Sequence, residues 1–210
     1  MKNLLLLLFL AGSVFTAKSQ KKAVTETGEE VILYENGTWK YSRDSNPGNA
    51  EIPTNKTSFK KHVDAGFLVK STHINMGIWL NAKKWSFKKA AEGEDAEYEF
   101  ELKGKDLYGM MITEKIEIPL ETLKNVALEN ARSASPDAVI AKQEYRTVNG
   151  KKMLMLQLNG SSQGIKFSYC GYYYSNEKGT VQLVLYTAQN LMKEYEGDIE
   201  EFLNGLAPVE

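Results

Sequence analysis

A succession of strand-like segments joined by tight turns constrains the fold of this chain more than any other feature. Segments 139–148 and 151–158 flank Asn149-Gly150, a dipeptide that strongly favours a two-residue hairpin because both turn positions need positive φ. Segments 165–174 and 181–187 continue the pattern across short polar turns. Because consecutive strands joined by hairpins run in opposite directions, the sequence predicts a mainly antiparallel sheet.

Two further segments have apolar residues at helical spacing, and a sheet face is the natural place to bury them. Pro119 suits a first helical position. The first apolar stripe consists of Leu120, Leu123, Val126, Ala127 and Ala131. The second, near residues 198–206, consists of Ile199, Phe202, Leu203 and Leu206. Since strands and helices do not alternate, we expect an α+β fold with a central antiparallel sheet sandwiched by amphipathic helices, and not a Rossmann fold.

Residues 1–19 have the pattern of a secretory signal peptide. Lys2 gives the positive start, and residues 4–10 form the apolar core. Ala17-Lys18-Ser19 has the small residues that a signal peptidase requires, so we expect cleavage between Ser19 and Gln20. The apolar run is too short to span a bilayer comfortably, and no second candidate follows it. The segment resembles export signals of Gram-negative bacteria. It predicts a periplasmic or extracellular protein with no integral membrane segment after cleavage.

Residues 20–45 predict a β-hairpin arm, again with Asn-Gly at the turn. If Asn36-Gly37 is a two-residue loop, Tyr34 faces Trp39 and Ile32 faces Tyr41, so that one side is apolar and aromatic. A lone hairpin is marginal in water and needs a surface to lie on, either the main domain or a partner. Ile32, Tyr34, Trp39 and Tyr41 are therefore candidate partner-binding residues.

Residues 46–58 separate this arm from the main domain, which we assign to residues 59–210. The segment has almost no apolar content and contains Asn46-Pro47-Gly48-Asn49 and Pro53. Such a composition predicts a flexible linker or a long loop.

The charge balance and the cysteine content exclude several classes of protein. The chain has 26 basic and 27 acidic residues, so no basic field is available to hold nucleic acid. Cys170 is the only cysteine, which excludes an internal disulfide framework in an exported protein. Its position inside a predicted strand indicates a packed thiol and not a nucleophile.

One short motif raises the possibility of hydrolase chemistry. Gly160-Ser161-Ser162-Gln163-Gly164 matches the nucleophile-elbow pattern with Ser162 at its centre. The elbow needs a helix after the serine and a later histidine, whereas residues 165–169 alternate like a strand and both His62 and His73 come earlier in the chain. We therefore interpret the motif as a hairpin loop and keep a hydrolase using Ser162 only as an alternative.

No metal or cofactor site is predicted. Two isolated histidines and one cysteine give no short ligand spacing. Glu92, Glu94, Asp95 and Glu97 lack the spacing of an EF-hand, and we interpret them as a solvated loop. No glycine-rich phosphate-binding motif is present either. The sequence thus predicts no catalytic residues and no cofactor.

The order and spacing of the elements from residue 59 to residue 206 resemble the PsbP-like fold. The resemblance rests on the Gly77-Ile78-Trp79-Leu80 segment leading to Trp85, the helix at 120–131, the hairpin at Asn149-Gly150 and the closing helix. It implies a central antiparallel sheet between helices. Members of this fold include an extrinsic subunit of photosystem II and a Ran-binding nuclear import factor, and they mostly bind other proteins.

The resemblance and the missing catalytic pattern together favour a non-catalytic accessory module that engages a protein partner in the cell envelope. A small-molecule or lipid carrier is the alternative, with Met110, Met111, Met153 and Met155 as an adaptable lining. Core filling is the simpler account of these four residues.

Overall fold

The computed structural model describes residues 21–24, 30–34, 37–41 and 52–209. Within these residues the backbone forms three sheets and two α-helices. The predicted signal peptide lies outside the described residues, as does the predicted linker up to residue 51. The N-terminal sheet has three short strands: β1 (Lys21–Val24), β2 (Glu30–Leu33) and β3 (Trp39–Tyr41).

A large eight-stranded sheet forms the centre of the main domain. In chain order its strands are β4 (Thr54–Phe59), β7 (Trp85–Lys89), β8 (Tyr98–Leu102), β9 (Tyr108–Glu114), β10 (Val139–Val148), β11 (Lys151–Ser162), β12 (Ile165–Asn176) and β13 (Gly179–Ala188). Their spatial order in the sheet is β4, β10, β11, β12, β13, β9, β8, β7.

The predicted hairpins are present. Asn149 and Gly150 form the β10–β11 turn with φ values of 47° and 79°, the left-handed conformation that the Asn-Gly dipeptide accommodates. Strands β11, β12 and β13 follow as consecutive antiparallel partners. The prediction of a mainly antiparallel sheet is confirmed, and the exception is the parallel pairing of β4 with β10.

Strand β4 corrects the predicted linker. Part of the segment 46–58 pairs with the edge of the large sheet, with Ser58 opposite Thr147 and the Tyr145 amide donating to the Pro53 carbonyl at 2.8 Å. Ile52 is buried against the core. Polar residues suffice here because an edge strand gains its backbone hydrogen bonds while most of its side chains stay in water.

One face of the large sheet packs against α1 (Leu120–Ala134), which begins directly after Pro119. Its buried side includes Leu123, Ala127, Leu128 and Ala131. These residues share a core cluster with Leu154, Leu156 and Leu158, alternate residues of β11. Because the intervening Met153 and Met155 belong to the opposite cluster, β11 is apolar on both faces, which is the pattern of a central strand.

The opposite face is closed by a second, three-stranded sheet together with α2 (Glu196–Leu203). Its strands are β5 (Phe67–Lys70), β6 (Met76–Leu80) and β14 (Leu206–Pro208). This arrangement differs from the predicted sheet sandwiched by helices, because strands form much of the second layer. It also corrects the predicted end of the last helix, since Leu206 pairs with Ile78 in β14.

One residue of the predicted solvated loop is buried instead. The Glu97 side chain is only 6% exposed, and its carboxylate accepts hydrogen bonds from the hydroxyls of Ser71, Thr72 and Thr113 at 2.6–2.8 Å and from the Thr72 amide at 2.6 Å. Burial acts to raise the pKa of Glu97, but these hydrogen bonds outweigh it and leave the pKa below its ordinary value. Glu97 therefore holds the turn between β5 and β6 against β9.

Candidate functional site

Ser162 does not sit on a nucleophile elbow. It is the last residue of β11, and β12 starts at Ile165, its pairing partner across the turn. The turn itself is Gln163-Gly164, with φ values of 51° and 80°. The prediction of a hairpin at this motif is confirmed, and the strand–turn–helix geometry that a hydrolase elbow requires is replaced by strand–turn–strand.

The rest of this motif attaches the end of α1 to the sheet. Asp137 accepts hydrogen bonds from the Ser135 hydroxyl at 2.5 Å and from the Ser161 hydroxyl at 2.6 Å. The Ser135 hydroxyl oxygen also accepts a hydrogen bond from the Ser161 amide at 2.8 Å. A Cβ on Gly160 would lie 2.6 Å from the Ser135 hydroxyl, so only glycine permits this approach. Ser161 and Gly160 of the motif thus have structural roles.

Cys170 is a packed thiol. It lies in β12, is partly covered and contacts the core cluster beneath α2. Burial raises the pKa of the Cys170 thiol to about 11, against the opposing effect of the nearby cations Arg146 and Lys142. At neutral pH the group is a thiol and not a thiolate. Among the described residues, no group of three or more His, Cys, Asp or Glu side chains could hold a metal ion.

The arm differs from its prediction in strand number and in register. β1 adds a third strand to β2. Leu33 is paired with Trp39 and Val31 with Tyr41, and the Tyr34 amide bonds to the Thr38 carbonyl at 2.9 Å, so the loop holds three residues and not two. A slip of one residue reverses the faces. Ile32 and Tyr34 therefore lie on the face opposite Trp39.

A row of tyrosines crosses the α1 side of the large sheet beyond the helix. Tyr169, Tyr186 and Tyr108 are direct neighbours on β12, β13 and β9. The rings of Tyr108 and Tyr186 stack with centroids 5.7 Å apart, and those of Tyr186 and Tyr169 are 5.8 Å apart. Phe167 and Ile165 extend the row along β12 by the two-residue repeat of a strand. We call these five residues the tyrosine face.

The tyrosine face is partly open because α1 does not extend over β13 and β9, two of the strands that carry it. The contacts of α1 with the sheet concentrate on β11 and β12, while the row continues onto β13 and β9. Tyr108 is 37% exposed and Ile165 is 67% exposed. By contrast, Tyr172 and Tyr173 on the same β12 strand are 0% and 3% exposed. Tyr172 and Tyr173 therefore pack in the core, whereas Tyr108 remains partly exposed.

Charged residues border the tyrosine face on its β8 side. Glu101 lies directly opposite Tyr108, and Lys88 pairs with Glu99 at 2.8 Å on the neighbouring strands. The carboxylate of Asp106 raises the pKa of Tyr108, and burial raises the pKa of Tyr186 and of Tyr169. All three hydroxyls stay protonated at neutral pH. The surface is therefore aromatic, uncharged at its centre and charged at its edge, which is the composition of protein interfaces.

A cleft of about 350 Å³ opens on the other side of the sheet, beside α2. We call it the α2 cleft. Its floor carries Lys142 and Arg146 of β10, Met155 and Gln157 of β11, and Cys170 of β12, and its wall is formed by α2 and the preceding turn.

Arg146 connects this floor to the end of α2. Its Nε donates to Glu144 at 2.6 Å and its Nη1 to the Tyr172 hydroxyl at 3.0 Å. Tyr172 in turn donates to the Asn204 side chain at 2.9 Å. Asn149 of the hairpin turn donates to the carbonyls of Asn204 and Leu206 at 2.8 and 2.9 Å. The end of α2 is thus fixed by hydrogen bonds to the β10–β11 hairpin.

The four methionines of the carrier hypothesis do not form one lining. Met111 and Met153 are fully buried in the core beneath α2, and Met110 packs on the opposite side of the sheet. Of the four, only Met155 reaches the α2 cleft. Core filling is therefore the account that the structure supports for Met111 and Met153.

Solved structures with the PsbP-like fold are similar to this chain. The cyanobacterial PsbP protein of Synechocystis sp. PCC 6803 superimposes with a TM-score of 0.50 at 12% identity, covering 68% of this chain and 91% of that one. LpqN of Mycobacterium tuberculosis, a protein involved in cell envelope biogenesis, gives a TM-score of 0.44 at 11% identity and covers 73% of this chain and 90% of its own.

The chain therefore has a PsbP-like fold, as its element order predicted. At this level of identity the likeness concerns the fold and not a function. No protein-family profile and no curated protein matches the chain. None of the helices in the described part of the chain has the length and apolar character to cross a bilayer.

Proposed function

We propose that this chain is an exported, non-catalytic accessory module that binds a protein partner in the cell envelope. The tyrosine face is the observation that carries the proposal. Tyrosine gives a large, stiff and amphipathic contact at a small loss of side-chain entropy, and it is enriched at interface centres. Tyr108, Tyr186 and Tyr169 provide such a centre on a rigid sheet, and Glu101, Glu99 and Lys88 provide a charged rim.

The arm is the second contact region of this proposal, and among its candidate residues Ile32, Tyr34, Trp39 and Tyr41 we assign the contact to the face that carries Trp39. Trp39 is 53% exposed and its strand neighbour Leu33 is 38% exposed. Because Ile32 and Tyr34 lie on the other face, a partner that touches Trp39 approaches the side of the small sheet that carries Leu33. Export of the chain rests on the signal-like pattern of residues 1–19.

Site-specific photo-cross-linking in the producing bacterium tests partner binding. We expect a benzophenone amino acid at Tyr108 or at Trp39 to give one protein adduct of the same mass. The matched control is Val63, an apolar side chain that is 85% exposed and lies outside both regions. Adduct formation at Val63 as well, or at none of the three positions, would refute the proposal.

A separate experiment tests the proposal that the chain has no catalytic activity. Ser162 is the residue on which the hydrolase alternative depends, so Ser162→Ala is compared with the unaltered protein in ester and peptide hydrolysis assays. We expect both proteins to be equally inactive, because the hairpin supplies no elbow. Activity that disappears with Ser162→Ala would contradict the proposal.

A further inference from the structure

A carboxylate continues the aromatic row of the tyrosine face onto β8. Glu101 is the direct strand partner of Tyr108, and Tyr108 is in turn the partner of Tyr186. Directly paired residues share a face of the sheet, with their Cβ atoms about 4.5–5.5 Å apart. A group seated on the exposed ring of Tyr108 therefore lies within reach of the Glu101 carboxylate.

Asp106 supplies a second carboxylate at the same end of the row. It is exposed, lies two residues before Tyr108 and acts on the Tyr108 hydroxyl through its charge. Its backbone carbonyl accepts a hydrogen bond from the Thr187 hydroxyl, which holds the β8–β9 turn beside β13. Tyr108 thus has a carboxylate on the neighbouring strand and another on its own chain segment.

The third carboxylate of this rim is already paired within the chain. Glu99 forms an ion pair with Lys88 at 2.8 Å, and the Lys88 side chain is 73% exposed. Among the described residues, Glu101 and Asp106 have no ion-pair partner of their own. The rim beside Tyr108 therefore keeps two carboxylates that can meet a cation of a partner.

The lysines of the β8–β9 turn are directed away from this rim. Lys103 Nζ donates to the Ala82 carbonyl at 2.8 Å, on the turn before β7. Lys105 Nζ pairs with Glu194 at 3.5 Å and lies 5.8 Å from the centroid of the Tyr195 ring, which belongs to the core on the α2 side. The negative charge of the rim is therefore not neutralised from this turn.

A guanidinium group matches an aromatic ring that has carboxylates beside it. Arginine stacks on aromatic faces, and its planar fork bonds a carboxylate at two points. It is also more weakly hydrated than the ammonium of lysine, so that contact with an aromatic surface costs it less. The half-buried rings of Tyr186 and Tyr169 continue the same surface away from the charged rim.

We infer, building on the proposed function, that the tyrosine face binds an arginine-bearing segment of its protein partner, with a guanidinium stacked on Tyr108 and bonded to Glu101 or Asp106.

Fluorescence anisotropy of short peptides tests this inference on the purified chain. The probes repeat a tripeptide of glycine, serine and a variable residue, which is arginine, lysine or glutamate, and they carry an uncharged dye. The arginine peptide should bind saturably at one site, at least about threefold more tightly than the lysine peptide, and the glutamate peptide should not bind. Absence of saturable arginine-peptide binding, or an equal affinity for either other peptide, would overturn the inference.

Variants of the rim carboxylates place the site. Glu101→Gln should weaken arginine-peptide binding about three- to fivefold, the upper range for one exposed ion pair, and adding Asp106→Asn should bring the loss to about tenfold. Glu177→Gln is the matched control, because it removes an exposed carboxylate on the distant β12–β13 turn and should not change the affinity. Unchanged affinity in Glu101→Gln, or an equal loss in Glu177→Gln, would overturn the assignment.

Two substitutions at Tyr108 separate the ring from its hydroxyl. Tyr108→Phe keeps the stacking surface and should bind the arginine peptide within about twofold of the unaltered protein, whereas Tyr108→Ser should lose about threefold or more. Equal affinities of the two variants would contradict stacking on the ring.

Cross-linking in cells separates failure of the arginine contact from failure of partner binding. An unchanged adduct yield from benzophenone at Tyr108 after Glu101→Gln and Asp106→Asn would overturn the arginine contact and leave partner binding standing. Absence of that adduct in the chain with both carboxylates intact would remove the proposed function, and with it the partner that the arginine contact requires.

Discussion

The two faces of the large sheet are closed in different ways. On the α2 side, the small sheet and α2 together bury the strands, and residues such as Ile78, Phe202 and Leu206 are at most 1% exposed. On the α1 side, a single helix covers β11 and β12, and the tyrosine face is left partly exposed, with Tyr108 37% and Ile165 67% exposed. Both sides of the sheet therefore contribute a core, but only the α1 side also leaves part of its aromatic surface exposed.

The comparison shows that burial alone does not identify a functional surface. The α2 side has the larger core but still leaves a cleft beside its helix, and the lining of this cleft includes the charged side chains of Lys142, Lys193 and Glu196. The α1 side has no such cations in its row of tyrosines, yet it stays open. This partly uncovered aromatic row is the surface on which the proposed partner binding rests.

The largest expected effect on stability tests the core on the α2 side of the sheet. Phe202→Ala should lower the free energy of unfolding by about 3–5 kcal/mol, because it leaves a cavity where the ring packs 4.1 Å from Trp85 and 5.1 Å from Phe100, centroid to centroid. Urea denaturation followed by tryptophan fluorescence measures it. Phe202→Leu is the control and should lose less. A loss below about 1 kcal/mol for the alanine variant would mean that α2 is not part of the core.

The next largest effect on stability tests how α1 is attached to the large sheet. Gly160→Ala should destabilise the protein by about 1–3 kcal/mol, because its Cβ would stand 2.6 Å from the Ser135 hydroxyl and 3.2 Å from the Phe167 ring. Gly66→Ala, where the added Cβ would meet nothing within 4 Å, should stay within about 0.5 kcal/mol. Equal stabilities of the two variants would contradict the docking of α1 through Ser135.

A smaller effect on stability is expected at Glu97, whose buried carboxylate holds the β5–β6 turn against β9. Glu97→Gln should lose about 1–2 kcal/mol at pH 7, because a charged acceptor of several hydrogen bonds is replaced by a neutral one. Urea denaturation at a series of pH values measures it.

The stability difference between Glu97→Gln and the unaltered protein should depend on pH, and the direction follows from the lowered pKa of Glu97. The folded-state pKa of Glu97 lies below its ordinary value of 4.5, so the stabilisation is present above that pH and is lost as the pH falls through the lower, folded-state pKa. The stability difference between Glu97→Gln and the unaltered protein should therefore narrow below about pH 4. A difference that is constant from pH 7 to pH 3 would contradict this role of Glu97.

The smallest effect on stability is expected on the open side. Tyr108→Ser should lower the free energy of unfolding by no more than about 1 kcal/mol, since the ring is 37% exposed and its main loss is the stacking on Tyr186. Capture of the partner should nevertheless be lost. A large loss of stability in Tyr108→Ser would show that the tyrosine face is structural and would remove the contrast between the two sides.

The strands and turns of the large sheet were predictable because their signals are local. Asn149-Gly150 marks its hairpin through the positive φ that both positions require, and β11 shows its central place through apolar residues on both faces. β4 was missed because an edge strand of polar residues has no apolar alternation to reveal it. The end of α2 was misplaced because Leu206 continues a helical stripe as well as it begins a strand.

The tyrosine face and the α2 cleft depend on contacts between residues that are distant in the chain. The sequence did not reveal these contacts. Arg146, Tyr172 and Asn204 meet only because β10, β12 and α2 converge. The tyrosine row arises from register across three strands, and a shift of one residue would scatter it. A shift of that size separates the predicted arm from the observed one, where Trp39 lies opposite Leu33 and not Tyr34.

Hydroxyl-radical footprinting of the tyrosines, in intact cells and in the purified chain, tests the contrast between the two sides most directly. In the purified chain we expect fast oxidation of Tyr108 and slow oxidation of Tyr172 and Tyr173, which are buried. In cells Tyr108 should become protected as its partner covers it, while Tyr172 and Tyr173 should not change. Equal oxidation of Tyr108 in both settings would contradict the assignment of the tyrosine face as a partner-binding surface.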